Sequence, residues 1–384
     1  MIRKLVIQVL VVSMLIMSLT GCSATKKDQE VMLNRTYDLD NEIVIGVAAS
    51  LETMSNTTKY IEGLEMAVEE INQKKLLNKK LTLVMQDDEA SVTKGLAVAQ
   101  SLSELQGISA VIGHWSSRVS VPASAIYEKA NVVMITPAST APELTEEGNQ
   151  YIFRQIPSDL IIAKELAEYT ESEGLMRIAI CYADDDYGRG MAKAFEDAAT
   201  QLGIKVIDRV TYLGGDSEFK RIRERWEALD YDAVLVADAM PGAIDYIRRI
   251  RQSDIDIPII GGDGLDYPQL IDELGAYAEG VVFISLFHPE AEHTRLEAFI
   301  NKFKAKYGAE PDKAAVQGYE TVKLLAYAIE HGGSSESAEI ADTLHSIRVW
   351  EGLTGNLSFD DKGEVQGKNI YKKTVSNGEY QYIP

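Results

Sequence analysis

Residues 109–145 read SAVIGHWSSRVSVPASAIYEKANVVMITPASTAPELT. An apolar run, Ser109–Ile112, leads through Gly113-His114-Trp115-Ser116-Ser117 into a helical segment around Pro122–Lys129. A second apolar run, Val132–Ile135, ends on Thr136-Pro137-Ala138-Ser139-Thr140-Ala141-Pro142. Two short, nearly continuous apolar strands separated by a helix indicate parallel neighbours covered on both faces. Ligands of open α/β sheets bind in the crevice beyond the carboxyl ends of the strands. Both loops are therefore candidate binding segments. Ser116 and Ser117 either add hydroxyls to the free N–H groups of a helix start, making an anion seat, or simply cap the helix.

The same rhythm runs outward in both directions. Ile43–Ala49 and Leu81–Met85 read as strands, each followed by apolar residues at helical spacing: Leu64, Ala67, Val68 and Ile71, then Leu96, Ala99, Leu102 and Leu105. Beyond Arg154 a second series begins, with strands near Arg177–Tyr182, Lys205–Thr211, Ala233–Ala237, Pro258–Ile260 and Gly280–Ser285 and helices between them. Two such series predict an α/β chain of two doubly wound parallel-sheet lobes with a cleft between them. The tail differs: 292–307 and 311–331 read as successive helices, and the segments around Asp360-Asp361-Lys362-Gly363 as a hairpin returning to the second lobe. The expected division is 42–157 plus 288–354 for lobe one and 158–287 plus 355–384 for lobe two. The chain then crosses three times, near 157, 287 and 355, forming a three-segment hinge.

The N-terminus sets the compartment. Met1-Ile2-Arg3-Lys4 precedes an apolar-rich run, Leu5–Leu19, and then Thr20-Gly21-Cys22. This is the form of a secretory signal, too short for a bilayer span of about 20 residues. Leu19-Thr20-Gly21-Cys22 resembles the lipobox of bacterial lipoproteins, which implies cleavage after residue 21 and lipidation of Cys22. Residues 22–41 then read as a polar tether, and the mature chain as an exported protein held on the outer face of the cytoplasmic membrane. Removing residues 1–21 from 384 leaves 363, enough for two domains. The formal charge of −21 becomes −23 once Arg3 and Lys4 are gone. So acidic a surface argues against nucleic acid, which demands clustered Lys and Arg. Cys181, in the apolar run Ile178–Tyr182, has no disulfide partner once Cys22 is lipidated, and reads as a buried thiol.

Two further loops lie at strand ends. Asp184-Asp185-Asp186-Tyr187-Gly188 offers three carboxylates, but without the spacing and distal Glu of a calcium loop it reads as a solvated turn, with Tyr187 free to cover a ligand. Gly261-Gly262-Asp263-Gly264 places Asp263 where it could face an ammonium group or serve as a plain turn residue. The five histidines have no ligand spacing, and neither a Gly-x-Ser-x-Gly elbow nor a phosphate loop is present. The chain is expected to be neither an enzyme nor a metal or cofactor protein.

Taken together, Gly113–Ser117, Ile135–Thr145, Asp186-Tyr187-Gly188 and Gly261–Gly264 resemble the periplasmic binding protein type 1 family, with the leucine/isoleucine/valine-binding proteins of ATP-driven importers as the nearest branch. Gly63 with Ala67-Val68-Glu69-Glu70-Ile71-Asn72 is similar to that family's first helix. The resemblance implies a monomeric receptor that closes on a small ligand, an amino acid, and delivers it to a membrane permease of an ABC importer. A sensor of the same fold, or a receptor for a short amide or aromatic acid, is the alternative. It also implies that Ser116, Ser117, the backbone of Ala138 and Ser139, and the Thr140 hydroxyl hold the ligand's carboxylate and part of its ammonium. Tyr187 and Asp263 would close from lobe two. Two departures alter the side-chain pocket. Ser50–Asn56 lacks the usual Gly-Pro and Tyr-Gly features, with Asn56 near the place of an aromatic, and Ala237-Asp238-Ala239-Met240-Pro241 replaces a tyrosine pair. Trp115, Asn56 and Met240 are the expected pocket wall.

Overall fold

The computed structural model describes residues 36–384 apart from Glu147, Tyr212, Asp254, Ile255 and Glu292. The signal segment 1–21, Cys22 and the tether up to residue 35 lie outside the described residues. The end of the expected tether is not free. Tyr37 is buried, the N–H groups of Asn41 and Glu42 turn back to the Asp38 carbonyl, and Lys79 holds the Leu39 carbonyl at 2.6 Å. An aromatic side chain that finds apolar cover pulls its neighbours onto the surface.

Lobe one begins with β1 (Glu42–Ala49), every residue of which is buried. There follow α1 (Leu51–Thr57), α2 (Tyr60–Lys74), β2 (Lys80–Asp87), α3 (Val92–Ser103), β3 (Ile108–Gly113), α4 (Ser117–Ala130), β4 (Val133–Thr136), α5 (Glu143–Glu146) and β5 (Ile152–Arg154). The five strands are all parallel, in the order β2-β1-β3-β4-β5. Lobe two repeats the plan with α6 (Asp159–Ser172), β6 (Arg177–Tyr182), α7 (Asp186–Gln201), β7 (Lys205–Val210), α8 (Asp216–Ala228), β8 (Ala233–Ala237), α9 (Ala243–Ser253), β9 (Ile259–Gly261), α10 (Gln269–Leu274) and β10 (Val281–Ser285). Its parallel strands run β7-β6-β8-β9-β10, so each lobe has the same 2-1-3-4-5 order and a switch point beside its first strand. β8 and β10 are buried throughout, as strands covered on both faces must be.

The chain then returns to lobe one with α11 (Thr294–Tyr307), α12 (Lys313–Gly332) and α13 (Ser337–Ser346). A small antiparallel sheet follows, of β11 (Trp350–Glu351), β12 (Gly355–Phe359) and β13 (Val365–Lys368), and then β14 (Tyr371–Ser376) and β15 (Glu379–Ile383). The hairpin expected to return to lobe two does not. β12 pairs with β13 around Asp360–Gly363, and Leu357, Phe359 and Val365 join the apolar core of lobe one. Only β14 and β15 reach lobe two, where β14 runs antiparallel to β10. The third crossing therefore lies at Asn369–Ile370 instead of near 355. The cause is apolar: Phe359 meets Phe153 of β5 edge to face at 5.3 Å, and burying both rings outweighs leaving one on the surface.

α12 carries the cleft-facing residues and is seated against α2. A methyl group on Gly63 would lie 2.1 Å from the Ala315 carbonyl oxygen, so the two helix backbones touch where only hydrogen fits. We predict that Gly63→Ala lowers stability by about 1–3 kcal/mol through overpacking. Urea denaturation measures this, and an unchanged midpoint would show that the helices separate freely.

Candidate ligand site

Segments 50–57, 115–117, Ala90 and Ala138 of lobe one, with the start of α12, and segments 185–187, 239–241 and 263–273 of lobe two converge on a cavity of about 510 Å³. Its lobe-one wall is set by a strand end that only glycine can form. Gly113 has φ +147°, and a Cβ there would lie 2.2 Å from the Ala48 carbonyl oxygen. The next residue, His114, is fully buried, with Nδ1 at 2.7 Å from Asp88 Oδ2 and Nε2 at 3.3 Å from the Tyr127 hydroxyl. Its carbonyl accepts from Ser120, Thr136 and Ser139 hydroxyls, binding loop 113–117 to loop 136–142. His114 is thus an anchor behind the site.

Ser116 occupies the N-cap position of α4 but makes no side-chain cap bond. The Ser117 hydroxyl accepts the N–H groups of Thr140 at 3.2 Å and Ala141 at 3.3 Å, and keeps its own proton to donate. The N–H groups of Ala138 and Ser139 go to the Thr136 hydroxyl oxygen, so this part of the loop's backbone is already engaged. The anion-binding capacity lies in the first turn of α4 together with Ser117. Ser139 points away from the cavity, its hydroxyl on Ser120 and on the His114 and Trp115 carbonyls. The Thr140 hydroxyl is buried without a hydrogen bond of normal geometry, facing the equally buried carboxylate of Asp159. Burial pushes the Asp159 carboxyl well above its ordinary range, with Thr140 opposing.

From lobe two, Tyr187 stands in the first turn of α7, whose start is capped by Asp185 accepting the Gly188 N–H. Its hydroxyl accepts the Gly264 N–H at 3.2 Å, joining the two lobe-two loops. Asp184 and Asp186 pair with Arg189 at the surface. Asp263 is 6% exposed. Lys313 donates to its backbone carbonyl at 2.7 Å, with Nζ 3.6 Å from Oδ2, while Oδ1 has no partner. Burial opposes charging Lys313, but Asp263, Tyr267 and Asp266 outweigh it and hold the ammonium form. A second bond crosses between lobes: Trp115 Nε1–H donates to the Tyr267 hydroxyl at 3.0 Å. The lobes are therefore closed on one another.

Ser116, Ser117, Ala138, Tyr187, Asp263, Trp115 and Met240 line the cavity. Ser139 and Thr140 are held in the loop behind that lining. Asn56 does not belong there: it is exposed, with its amide on the Glu52 carbonyl, because α1 turns Thr53, Met54 and Thr57 inward in its place. Tyr267, Gln269, Lys313 and Gln317 also line the cavity and were not anticipated. Lys313 and Gln317 were visible as Lys-x-x-x-Gln at helical spacing, but no sequence signal places the start of α12 at the cleft. Arg154 was missed as well. Buried completely, it donates to the Ala141 carbonyl at 2.6 Å, the Thr145 hydroxyl at 2.7 Å and Glu364 at 2.5 Å.

Comparison with known proteins agrees with this fold. A family model described as periplasmic binding protein matches residues 42–378. The chain is 30% identical over 352 residues to a Leu/Ile/Val/Thr-binding protein of Salmonella typhimurium, covering 91% of this chain and 93% of that one. It is 27% identical to an amino acid binding protein of Pseudomonas aeruginosa over 89% and 93% of the two chains. An ABC transporter substrate-binding protein from Desulfitobacterium hafniense, solved in complex with Leu, superposes with a TM-score of 0.81 at 38% identity, over 89% of this chain and all of that one.

One electrostatic feature of the site is open to titration. Asp238, just before the lining residues Ala239 and Met240, accepts the Ala239 N–H, and burial, with the nearby Asp185 charge, raises its carboxyl to about 6. The folded state then holds this proton more tightly than the unfolded chain does. The contribution is full below about pH 4 and is lost as pH rises through about 6. Asp238→Asn imitates the protonated form, so its stability should match wild type near pH 4 and exceed it at pH 7. Parallel urea midpoints across that range would overturn the assignment.

Proposed function

We propose that this chain, which belongs to the periplasmic binding protein family, is an exported receptor that captures an amino acid between its lobes and delivers it to the membrane permease of an ABC importer. The observation that carries this reading is the pairing of complementary, unsatisfied groups across one closed cavity. Lobe one brings the first turn of α4 and the Ser117 proton, suited to a carboxylate. Lobe two brings the unpartnered Oδ1 of Asp263. An ammonium group donates three hydrogen bonds, and a desolvated cation requires such acceptors. Ser116 and the Ala138 backbone shape the carboxylate end, and Ser139 holds the two loops together. Tyr187 covers the ligand from lobe two, with Trp115 and Met240 as further walls. The relatives support the same class: those from Salmonella and Pseudomonas are named for amino acid binding, and the Desulfitobacterium structure holds Leu.

Closure is the transport signal. Trp115–Tyr267 and Lys313–Asp263 form only when the lobes meet, so a ligand that bridges them shifts the population toward the form a permease can recognise. The work of this site is selective binding, and a monomer suffices for it. Cys22, lipidated after cleavage at residue 21, would hold the receptor at the outer face of the membrane, with several acyl chains giving stable anchorage.

Refolded, ligand-free residues 23–384 should be stabilised by ~2.7 kcal/mol by at least one amino acid at about 100 times its dissociation constant. Failure of all twenty to shift the unfolding temperature would sink the amino-acid reading. Asp263→Asn should weaken that binding by at least ~2 kcal/mol while the protein stays folded, because the ammonium loses its buried counter-charge. Wild-type affinity in calorimetry would exclude Asp263 as the ammonium partner. In cells, Cys22→Ser should move the protein from the membrane fraction to the soluble one; retention at the membrane would exclude lipidation as the anchor.

A further inference from the structure

The cavity lining carries polar groups that the recognition of an α-carboxylate and α-ammonium does not use. Gln317 is 5% exposed, and both its amide nitrogen and its amide oxygen are buried with no hydrogen-bond partner. It lines the cavity from lobe one, one helical turn after Lys313 on the same face of α12. Gln269 lines the cavity from lobe two, and its side-chain oxygen is likewise buried without a partner. Four residues of helix rise about 6 Å, so Gln317 is set off from the Lys313–Asp263 contact by roughly the reach of a short amino-acid side chain.

From this we infer that the receptor is built for an amino acid with a neutral hydrogen-bonding side chain, a carboxamide or a hydroxyl, that is read by Gln317 and Gln269. The inference rests on the amino-acid reading above. A carboxamide would donate to the Gln317 and Gln269 oxygens and accept from the Gln317 amide, satisfying all three orphaned groups, and a hydroxyl would satisfy two. An aliphatic side chain leaves them buried and unpaired, at the full desolvation penalty of each group. An anionic side chain fits less well, because Lys313 is already engaged by Asp263 and Glu273 in the same lining repels it. A cationic one meets neutral amides at Gln317 and Gln269, which cannot balance its charge. Sites that hydrogen-bond a substrate group discriminate strongly against the analogue that lacks it.

The test compares near-isosteric pairs by calorimetry on the refolded protein: glutamine against methionine, and threonine against valine. Wild type should bind the polar member of at least one pair at least tenfold more tightly, and Gln317→Leu should bring that ratio to about one or reverse it. Gln317→Met serves the same purpose if the leucine variant does not fold, and circular dichroism establishes folding first. Equal binding of polar and apolar members by wild type overturns the inference, since ordered water then satisfies the glutamines. A preference that survives Gln317→Leu also overturns it, because another group must be reading the side chain. Both results leave the receptor reading intact. Failure of every amino acid to bind removes that reading and this inference together.

Discussion

Where the first connection leaves lobe one, the Arg154 guanidinium is fully enclosed and every neighbour is arranged around it. It fixes the Ala141 carbonyl of the second binding loop and the Thr145 hydroxyl beyond it, and meets the Glu364 carboxylate through two nitrogens. The other Glu364 oxygen accepts the Ser158 N–H, immediately before α6. One buried ion pair thus ties a ligand loop, the β12–β13 hairpin and the start of lobe two into a single unit. A buried charge is tolerated only when its hydrogen-bonding capacity is filled, and removing one partner of such a pair costs about 3–5 kcal/mol. That penalty makes the loop's shape a property of the whole fold. The Glu320 carboxylate plays a similar part on the third crossing. It accepts from the Thr354 hydroxyl and from Lys368, the residue before Asn369.

The cleft depends on this rigid base because its own charges are poised for change. Asp263 and Asp266 lie three residues apart but are differently served. Burial opposes ionising Asp266, yet Lys373 at 2.7 Å and then Lys313 hold its carboxyl below the ordinary value, with Ser285 donating to its other oxygen. Asp263 has Lys313 on one side only, and burial pushes its carboxyl upward. A ligand ammonium at the open oxygen would complete its pairing. Asp266 is therefore structural support, and Asp263 the group whose energy a ligand can lower. Closure that depends on completing such a pair is a switch with a defined differential contact, which is what a population shift requires.

Much of the fold was legible in the amino-acid sequence for a simple reason. A strand buried on both faces must be apolar at every position, so Ile43–Ala49, Ala233–Ala237 and the runs around 110 and 133 stand out without reference to any partner. Ser117, Tyr187 and Asp263 could be marked as candidates because ligands of open α/β sheets gather beyond the carboxyl ends of the strands. The hairpin's destination was not. Leu357, Phe359 and Val365 alternate as any half-buried strand would, and only the presence of Phe153 in space assigns them to lobe one.

By itself, then, the sequence determined the two doubly wound lobes, the loops that face the cleft and the exported character of the chain, because these follow from local periodicity and local composition. Tertiary structure alone decided that Arg154 clamps Glu364 across 210 residues, that Lys313 meets Asp263, and that Gln317 and Gln269 line one cavity from opposite lobes while Asn56 turns to the surface. Such pairings depend on which distant side chains are desolvated together, and that is fixed by the packing of α12 and the return of the hairpin. Burial makes a polar group costly unless it finds a partner, and partners far apart in the chain are identified only once the chain has folded.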